Sequence, residues 1–278
     1  MFAELKKATK NRNFENQIEL FELVMQISRL KILDDKTEDA IYQQVKARSH
    51  DQLFDFMLAA FAQLYKKQGD LAKAFLTENY INNLKIEPHL DLIDNLIELT
   101  QKKKPSIFEQ EYLLPRIKDA SLNATQHTNP RDILLEVKAT ILFSQDRLRE
   151  AISVYQQVPE EVIYKIASDP FQANLNDCQE NCPPSPQAGK YNRLTLAQRM
   201  LAMQEILKTN PLDQAEYYFM LGNAYYNLTY FGNAWIAIDY FRSGADLWMY
   251  KYRQEENEPY QENTFLIVPR PNTTMTAP

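Results

Sequence analysis

The chain has 278 residues, of which 45% are apolar and 24% are charged, a composition typical of folded globular proteins rather than disordered ones. Only 5 residues are glycine, which disfavours folds rich in tight β-hairpins and favours long helices with short connections. The formal net charge of -6 repels phosphate backbones, so we expect no nucleic-acid partner.

Helical periodicity begins near the N-terminus and dominates the chain. Apolar residues at three- and four-residue spacing form one stripe between residues 18 and 28, and Thr37 is a candidate N-cap of the helix that follows. Residues 50–84 predict two helices separated at Gly69 and Asp70. Residues 88–104 predict another amphipathic helix, which ends before a proline.

The sequence leaves the compartment open. No run of about 20 apolar residues is present, so we expect no membrane span. The first residues lack the apolar core and the cleavage signal of a secretory leader. The protein is therefore cytoplasmic, or it belongs to the cell envelope and this chain lacks its natural leader.

A pattern repeated three times is marked by one alanine in each copy, at Ala74, Ala151 and Ala234. Twelve residues earlier each copy has a small residue, at Ala62, Ala139 and Gly222. Large apolar residues precede each alanine by sixteen and nine residues, at Leu58, Leu135 and Tyr218 and at Tyr65, Leu142 and Tyr225. Two antiparallel helices approach closely only where side chains are small. The pattern therefore predicts three helix hairpins, each crossing at its small residue and its alanine.

These positions resemble the tetratricopeptide repeat. Residues 210–234 are similar to the first helix of that repeat and the start of its second, and Pro211 matches the proline between repeats. The resemblance implies an all-α fold of antiparallel hairpins stacked as an α-solenoid, whose concave face binds other proteins. The alanines are 77 and 83 residues apart rather than about 34. Each gap has room for one degenerate hairpin, and residues 194–209 are a candidate second helix of such a unit.

Residues 169–191 break the helical rhythm. They contain four prolines, one glycine and both cysteines, which predicts a loop. We divide the chain into an N-terminal helical-repeat array (1–168), this loop (169–191), C-terminal hairpins (192–255) and an extended tail (256–278), with one continuous solenoid as the alternative. Short strings beside the loop also resemble large uncharacterised bacterial envelope-associated helical-repeat proteins, so the chain could be a structural fragment of such a protein.

The two cysteines, Cys178 and Cys182, lie four residues apart within that loop. They could form a local disulfide in an oxidising compartment, or remain inert thiols or contribute half of a metal site in the cytosol. A zinc site needs about two further Cys or His ligands. The only histidines, His50, His89 and His127, lie at unrelated spacings, so metal is disfavoured and no cofactor is expected.

No established catalytic motif is present. The chain has no phosphate-binding glycine loop, no H-E-x-x-H, no G-x-S-x-G and no C-x-x-C. The carboxylates of Asp91, Asp94 and Glu98 share a helix face, which we interpret as solvated. We therefore expect a non-enzyme. The alternative is an enzyme or small-ligand receptor whose site lies inside the curved array.

Thirteen aromatic residues lie between Tyr217 and Tyr252. The hairpin pattern assigns some of them, Tyr218 and Tyr225 among them, to packing between helices. It leaves four residues on one face at helical spacing, which are Phe219, Asn223, Tyr226 and Asn227. Tetratricopeptide arrays can clamp a carboxylate with Lys and Asn, but Phe219 stands where the Lys is needed. We therefore predict a non-catalytic protein–protein interaction scaffold that uses these four residues to contact a protein or peptide.

Overall fold

The computed structural model describes residues 12–86, 89–118, 125, 127–173, 189–209, 214–229 and 232–238. Within these ranges the structure is helical and contains no β-strand beyond one isolated bridge between Lys165 and Asn192. The predicted all-α class is therefore confirmed, whereas the solenoid arrangement and the boundaries around 169–191 stay predictions. No helix in the described part of the chain is long and apolar enough to cross a membrane.

The chain divides into two compact units, residues 1–80 with 94–116 (unit 1) and residues 81–93 with 117–278 (unit 2). The α-helices in chain order are α1 (Arg12–Ser28), α2 (Asp35–Lys46), α3 (Asp51–Gln68), α4 (Leu71–Glu78), α5 (Asn83–Ile86), α6 (Leu90–Thr100), α7 (Leu114–Lys118), α8 (Pro130–Ser144), α9 (Leu148–Tyr155), α10 (Arg193–Thr209) and α11 (Gln214–Leu228). A π-helical turn spans Glu109–Leu113, and a 3-10 turn spans Trp235–Ile238.

Helix α2 begins one turn earlier than the sequence predicts. The Asp34 carboxylate accepts the Thr37 N–H at 2.7 Å, so Asp34 is the N-cap and Thr37 lies inside the first turn. Both residue types are good caps. Asp34, three residues earlier in the chain, caps the helix instead of Thr37. Its carboxylate also interacts favourably with the helix dipole.

The hairpin of α3 and α4 in unit 1 forms as predicted. Gly69 takes a left-handed conformation with φ of 79° and ends α3. The Gly69 N–H donates to the Lys66 carbonyl at 3.2 Å, and the Asp70 N–H donates to the Tyr65 carbonyl at 2.9 Å. This pair of bonds is a Schellman turn, which satisfies the last carbonyls of a helix. The small residues of the pattern, Ala62 and Ala74, are fully buried.

The hairpin of α8 and α9 in unit 2 repeats that geometry at the aligned positions. Asp146, the counterpart of Gly69, takes a φ of 58°. Its N–H donates to the Phe143 carbonyl at 3.0 Å, and the Arg147 N–H donates to the Leu142 carbonyl at 3.0 Å. The small residues of this copy, Ala139 and Ala151, are again fully buried. Two of the three predicted hairpins are therefore confirmed, and α10 confirms the helix predicted over 194–209.

The second helix of the third predicted hairpin falls largely on residues 230–231 and 239–278, outside the described part of the chain, so this hairpin stays a prediction. Its first helix, α11, can be compared with the pattern. Gly222 of α11 is exposed, and no described atom lies within 4 Å of a Cβ built on it. Tyr218 and Tyr225, predicted to pack, are 60% and 39% exposed. Thr229 precedes Ala234 by five residues, as Gly69 precedes Ala74 and Asp146 precedes Ala151. Its N–H donates to the Tyr226 carbonyl at 3.0 Å, as in the other two turns, but it does not take a positive φ. Its branched side chain disfavours that conformation.

A different closure follows α11. The Ala234 N–H donates to the Asn227 carbonyl at 2.9 Å, which brings the chain back against the end of the helix. Gly232 lies so close that a Cβ on it would stand 2.2 Å from the Asn227 Cα. Only glycine fits at this approach without displacing the backbone.

Candidate functional sites

The four residues predicted to contact a partner lie along α11, but they are not equally accessible. The side chains of Phe219 and Tyr226 are exposed, at 63% and 46%. Asn223 is half-buried, and Asn227 is only 4% exposed. The two aromatic rings are therefore available to a partner, while Asn227 belongs to the interior of unit 2.

The two asparagines hold a short segment of the chain itself. The Asn227 amide donates to the carbonyls of Pro170 and Gln172, at 2.8 and 3.0 Å. One turn earlier on α11, the Asn223 amide donates to the carbonyl of Phe171 at 3.2 Å. Three consecutive main-chain carbonyls are thus held by side-chain amides. The sequence predicted that these residues contact a partner, whereas the segment that the two amides bind is the start of the predicted loop of the same chain.

Local contacts hold that segment in place. The buried carboxylate of Asp169 accepts the Phe171 N–H at 3.0 Å and pairs with the Lys190 ammonium at 3.2 Å. The bond to this carboxylate raises the pKa of Lys190. The Ile166 N–H donates to the Tyr191 carbonyl at 2.8 Å. Residues before and after the predicted loop are therefore bonded to each other, and the residues before it are also bonded to α11.

A depression of about 360 Å³ opens between this segment and α11. Its lining residues are Gln172, Ala173, Asn223, Tyr226 and Asn227. Among the described residues, the lining is rich in amides and contains no charged side chain. The Tyr226 hydroxyl and the Asn223 side-chain oxygen make no hydrogen bond with other described residues. Both atoms are therefore able to bond a ligand or a partner.

Tyr225 fixes the orientation of α11 within unit 2. Its hydroxyl donates to the Asp146 carboxylate at 2.7 Å and accepts from the Gln204 amide at 2.7 Å. Partial burial and the neighbouring carboxylate raise the pKa of Tyr225 to about 12. Tyr225, which the repeat pattern assigned to the core, therefore links α11 by hydrogen bonds to α10 and to the turn of the α8–α9 hairpin.

A buried ion pair also supports this region. Glu136 of α8 and Arg193 of α10 are each 2% exposed and form a direct ion pair. The same guanidinium donates to the Ile236 carbonyl at 2.7 Å and lies 5.2 Å from the Tyr164 ring centre. Arg193 thereby joins the α8–α9 hairpin to the turn that follows α11.

Unit 1 contains a charge cluster that the sequence did not reveal. The Lys73 ammonium lies 2.8 Å from Glu38 and 2.6 Å from Glu109, and both carboxylates are fully buried. Lys102 extends the cluster, since its ammonium lies 2.9 Å from Glu109 and 2.7 Å from Asp35. The residues come from four separated segments. The only signal in the sequence is a glutamate, Glu38, within the apolar stripe of α2.

The hydrogen bonds of the cluster explain how Glu38 is tolerated in the core. The hydroxyls of Tyr65 and Ser106 donate to the two oxygens of its carboxylate. A buried carboxylate needs such partners because desolvation disfavours its charge. Each partner comes from a different segment, so the cluster fixes α2, α3 and α4 to the residues before the π-helical turn.

The same cluster has carboxylate oxygens close enough to bind a metal ion. Oxygens of Asp35, Glu38 and Glu109 lie within 4.8 Å of one another, the only such group among the described residues. However, the Lys73 ammonium is itself bonded to these three carboxylates. Burial alone would lower the pKa of Lys73, but the two glutamates outweigh it and raise that pKa. The ammonium groups of Lys73 and Lys102 thus neutralise these carboxylates, which fits a role of the cluster in stabilising unit 1.

Comparisons with known proteins found no matching family model, no matching curated protein and no matching solved structure. The tetratricopeptide resemblance therefore stays a prediction that rests on the hairpin residues. Cys178 and Cys182 lie outside the described residues, so their disulfide, thiol and metal interpretations stay open as well.

Proposed function

We propose that the chain is a non-catalytic protein–protein interaction scaffold and that its contact surface is one exposed face of α11. We call this face the α11 stripe, and its residues are Ala215, Phe219, Gly222, Asn223 and Tyr226. The observation that carries the proposal is the exposure of two aromatic rings on a stripe without charge. The partner is a protein or a peptide.

The energetics of exposed aromatic rings support this proposal. A large apolar side chain in water forgoes the free energy that burial would provide, about 1.5–3 kcal/mol for phenylalanine. Phe219 is 63% exposed, and Tyr218 on the neighbouring face is 60% exposed. Exposed apolar patches rimmed by polar residues mark interaction sites, and aromatic residues dominate the binding energy of such sites.

The repeated architecture supports the same proposal by analogy. The turns of the α3–α4 and α8–α9 hairpins share one hydrogen-bond pattern at aligned positions. Helical-repeat proteins present the faces of successive hairpins as a binding surface. Helix α11 aligns with the first helix of these hairpins, which is the helix that faces partners in tetratricopeptide arrays. This step is an analogy of architecture rather than of site chemistry.

Affinity capture with matched variants tests the proposal. We compare wild type with the double variant Phe219→Ser, Tyr226→Ser on α11 and with Phe21→Ser, Ile32→Ser in unit 1, whose side chains are 60% and 69% exposed. We expect the α11 variant to lose about 90% of captured partner protein, because each ring contributes about 2 kcal/mol or more at a contact centre. The unit 1 variant should capture normally. Equal capture by both variants would contradict the proposal.

A small-ligand receptor is the second candidate, and the depression beside α11 favours it. Its volume of about 360 Å³ lies within the range of ligand pockets. Amides and a phenol line it, so the ligand would be neutral and hydrogen-bonding. Native mass spectrometry of the purified chain tests this candidate. A retained small molecule that is lost in Asn223→Ala would favour the receptor, and an unliganded mass would favour the scaffold.

A further inference from the structure

Arg116, in unit 1, is a cation whose hydrogen-bond partners are all neutral. One of its terminal nitrogens, Nη1, donates to the Tyr112 hydroxyl at 3.2 Å, and the other, Nη2, donates to the Asn79 carbonyl at 3.3 Å. Its Nε–H is buried and has no acceptor among the described residues. A guanidinium has five N–H donors, and only these two bonds engage them within the described part of the chain.

The other cations that are withdrawn from water have negative partners. Among the described residues, Lys73 and Arg193 are the two buried cations, and each forms an ion pair with a buried glutamate. Arg116 is half-buried, yet it forms no ion pair with a described residue. Removing a guanidinium from water costs free energy, which an anion beside it would offset. The charge of Arg116 is therefore available to an anion.

Aromatic rings hold the guanidinium in place. Its central carbon lies 4.1 Å from the centre of the Tyr80 ring and 5.2 Å from the centre of the Tyr112 ring. Tyr112 is fixed in turn, because it stacks on Phe108 at 5.3 Å and meets the ring of Phe54 edge-on at 5.4 Å. Rings bind the flat faces of a guanidinium, whereas its N–H groups point outward in its plane. This arrangement orients Arg116 and leaves N–H groups for an acceptor.

The backbone that carries this arginine departs from a regular helix. Within the π-helical turn, the Leu114 N–H donates to the Glu109 carbonyl, five residues earlier. Pro115, which has no N–H, follows directly. Tyr112 lies in the turn and Arg116 four residues later, and the bond between their side chains shows that they share a face. Turns of this kind are rare and occur frequently at functional sites.

From these observations we propose that Arg116, held by the rings of Tyr80 and Tyr112, binds an oxyanion, which is a carboxylate or a phosphate group. Arginine suits both groups, because its planar N–H donors match their oxygens. The site is open to solvent, since Arg116 is only half-buried and Tyr80 is 52% exposed. Either a small molecule or an acidic side chain of a protein carries such a group. The site lies in unit 1 and does not depend on the function proposed for α11.

Nuclear magnetic resonance of the ¹⁵N-labelled full chain tests the proposal at the arginine itself. The Nε–H signal of Arg116 is assigned by its loss in Arg116→Lys. Inorganic phosphate and acetate are then titrated, with chloride keeping the ionic strength constant. We expect this signal to shift and saturate with a dissociation constant of about 1–10 mM, as expected for one or two charge-assisted hydrogen bonds. Arg29, an exposed arginine of unit 1, is the matched control and should show no saturation.

Variants distinguish a built site from a general effect of salt. Arg116→Lys keeps the charge but loses the planar donors, so phosphate should raise the unfolding temperature of wild type and not of this variant. Tyr80→Leu, at an exposed position, removes one ring and should weaken binding about two- to fivefold. An Arg116 signal that responds as Arg29 does would overturn the proposal. So would a response that appears only in Asp119→Asn, because a carboxylate of the chain itself, outside the described residues, would then hold the arginine.

The two sources of the oxyanion are separated by a third probe, a short acetylated peptide of glutamates. Binding of the peptide at least about tenfold tighter than acetate supports the site and assigns it to an acidic protein segment. Binding of phosphate alone supports the site and assigns it to a phosphorylated small molecule. No saturable response to phosphate, acetate or peptide overturns the proposal. That failure leaves capture through Phe219 and Tyr226 untouched, so it is distinguishable from a failure of the proposed function.

Discussion

The two complete hairpins and the α11 region share one residue pattern but have different structures. In α3–α4 and α8–α9 the turn residues, Gly69 and Asp146, take positive φ and the small residues are buried. In the α11 region the turn residue, Thr229, does not take positive φ, and Gly222 is exposed. Within the described residues, the conformation of the turn residue is therefore one clear difference between the regions.

This comparison separates two kinds of information in a repeat. Small residues at fixed spacing permit two helices to cross, but they do not make the chain reverse. The reversal depends on a residue that can adopt the left-handed conformation at little cost, as glycine does and aspartate tolerates. In the α11 region, where that residue is a threonine, the described residues leave the small position of the pattern exposed. We relate the α11 stripe to this difference, and the predictions below test it.

The largest effect is expected where buried charges fix a hairpin helix. Lys73→Ala removes the cation between Glu38 and Glu109, leaving both carboxylates buried without it. We expect the free energy of unfolding of unit 1 to fall by about 3–5 kcal/mol, as for other broken buried pairs. Urea denaturation followed by circular dichroism measures the change. Lys67→Ala, at an exposed position of the same hairpin, serves as the control, and an equally small loss in both variants would contradict the role of the cluster.

Enlarging a buried crossing residue should have the next largest effect. Ala139→Leu inserts three carbons between α8 and α9, where the alanine is fully buried. Overpacking of this kind costs about 1–3 kcal/mol. The same denaturation experiment checks the loss. If Ala139→Leu were neutral, Ala139 would not mark a close crossing, and the contrast with Gly222 would disappear.

The turn residue itself provides the third test. Gly69→Ala forces an alanine into a φ of 79°, which costs about 1–2 kcal/mol. Thr229→Ala, at the aligned position without positive φ, should cost less than about 0.5 kcal/mol. The unfolding free energies of the two variants, measured in the same experiment, test this difference. Equal losses would show that the left-handed turn does not distinguish the regions.

A change of the opposite sign is expected at the exposed glycine. Gly222→Ala replaces glycine within a helix where no described atom obstructs the new methyl group. The free energy of unfolding should rise by about 0.5–1 kcal/mol, because alanine loses less backbone entropy. Urea denaturation followed by circular dichroism measures the change. A destabilised variant would indicate that Gly222 is a tight crossing after all.

The smallest effect is a dependence of stability on pH that comes from the hydrogen bonds of the Tyr225 hydroxyl. Its pKa is raised from 10.0 to about 12, so the folded chain favours the neutral phenol. The stabilisation is complete below pH 10 and is lost as the pH rises through about 12. The difference in unfolding free energy between wild type and Tyr225→Phe should therefore shrink over this interval. Tyr226→Phe is the control, because the Tyr226 hydroxyl bonds no described residue. A difference between wild type and Tyr225→Phe that persists to pH 12 would contradict the stabilising role of the Tyr225 hydrogen bonds.

Local sequence rules predicted much of the fold. The break at Gly69 and Asp70, the α8–α9 hairpin and α10 follow from turn chemistry and three- to four-residue periodicity, which act over short stretches of chain. The cap at Asp34 was missed because two good capping residues stand within one turn. The exposure of Gly222 was missed because the repeat pattern was given more weight than the turn residue, Thr229.

The sites were predicted less well than the helices, because their residues are far apart along the chain. The placement of Phe219 and Tyr226 on one exposed helix face follows from their spacing alone. Asn227 was expected to meet a partner, yet it binds carbonyls more than fifty residues away. The Lys73 cluster likewise combines residues from separated segments, and no local pattern encodes such meetings.

The central claim is that the α11 stripe contacts another protein molecule, and site-specific photo-crosslinking tests it most directly. A benzophenone amino acid is placed at Phe219 in one sample and at Phe21, equally exposed in unit 1, in the other. The account predicts intermolecular crosslinks from position 219 and at least about tenfold fewer from position 21. Equal crosslinking from both positions, or crosslinks from position 219 only to its own chain, would contradict it.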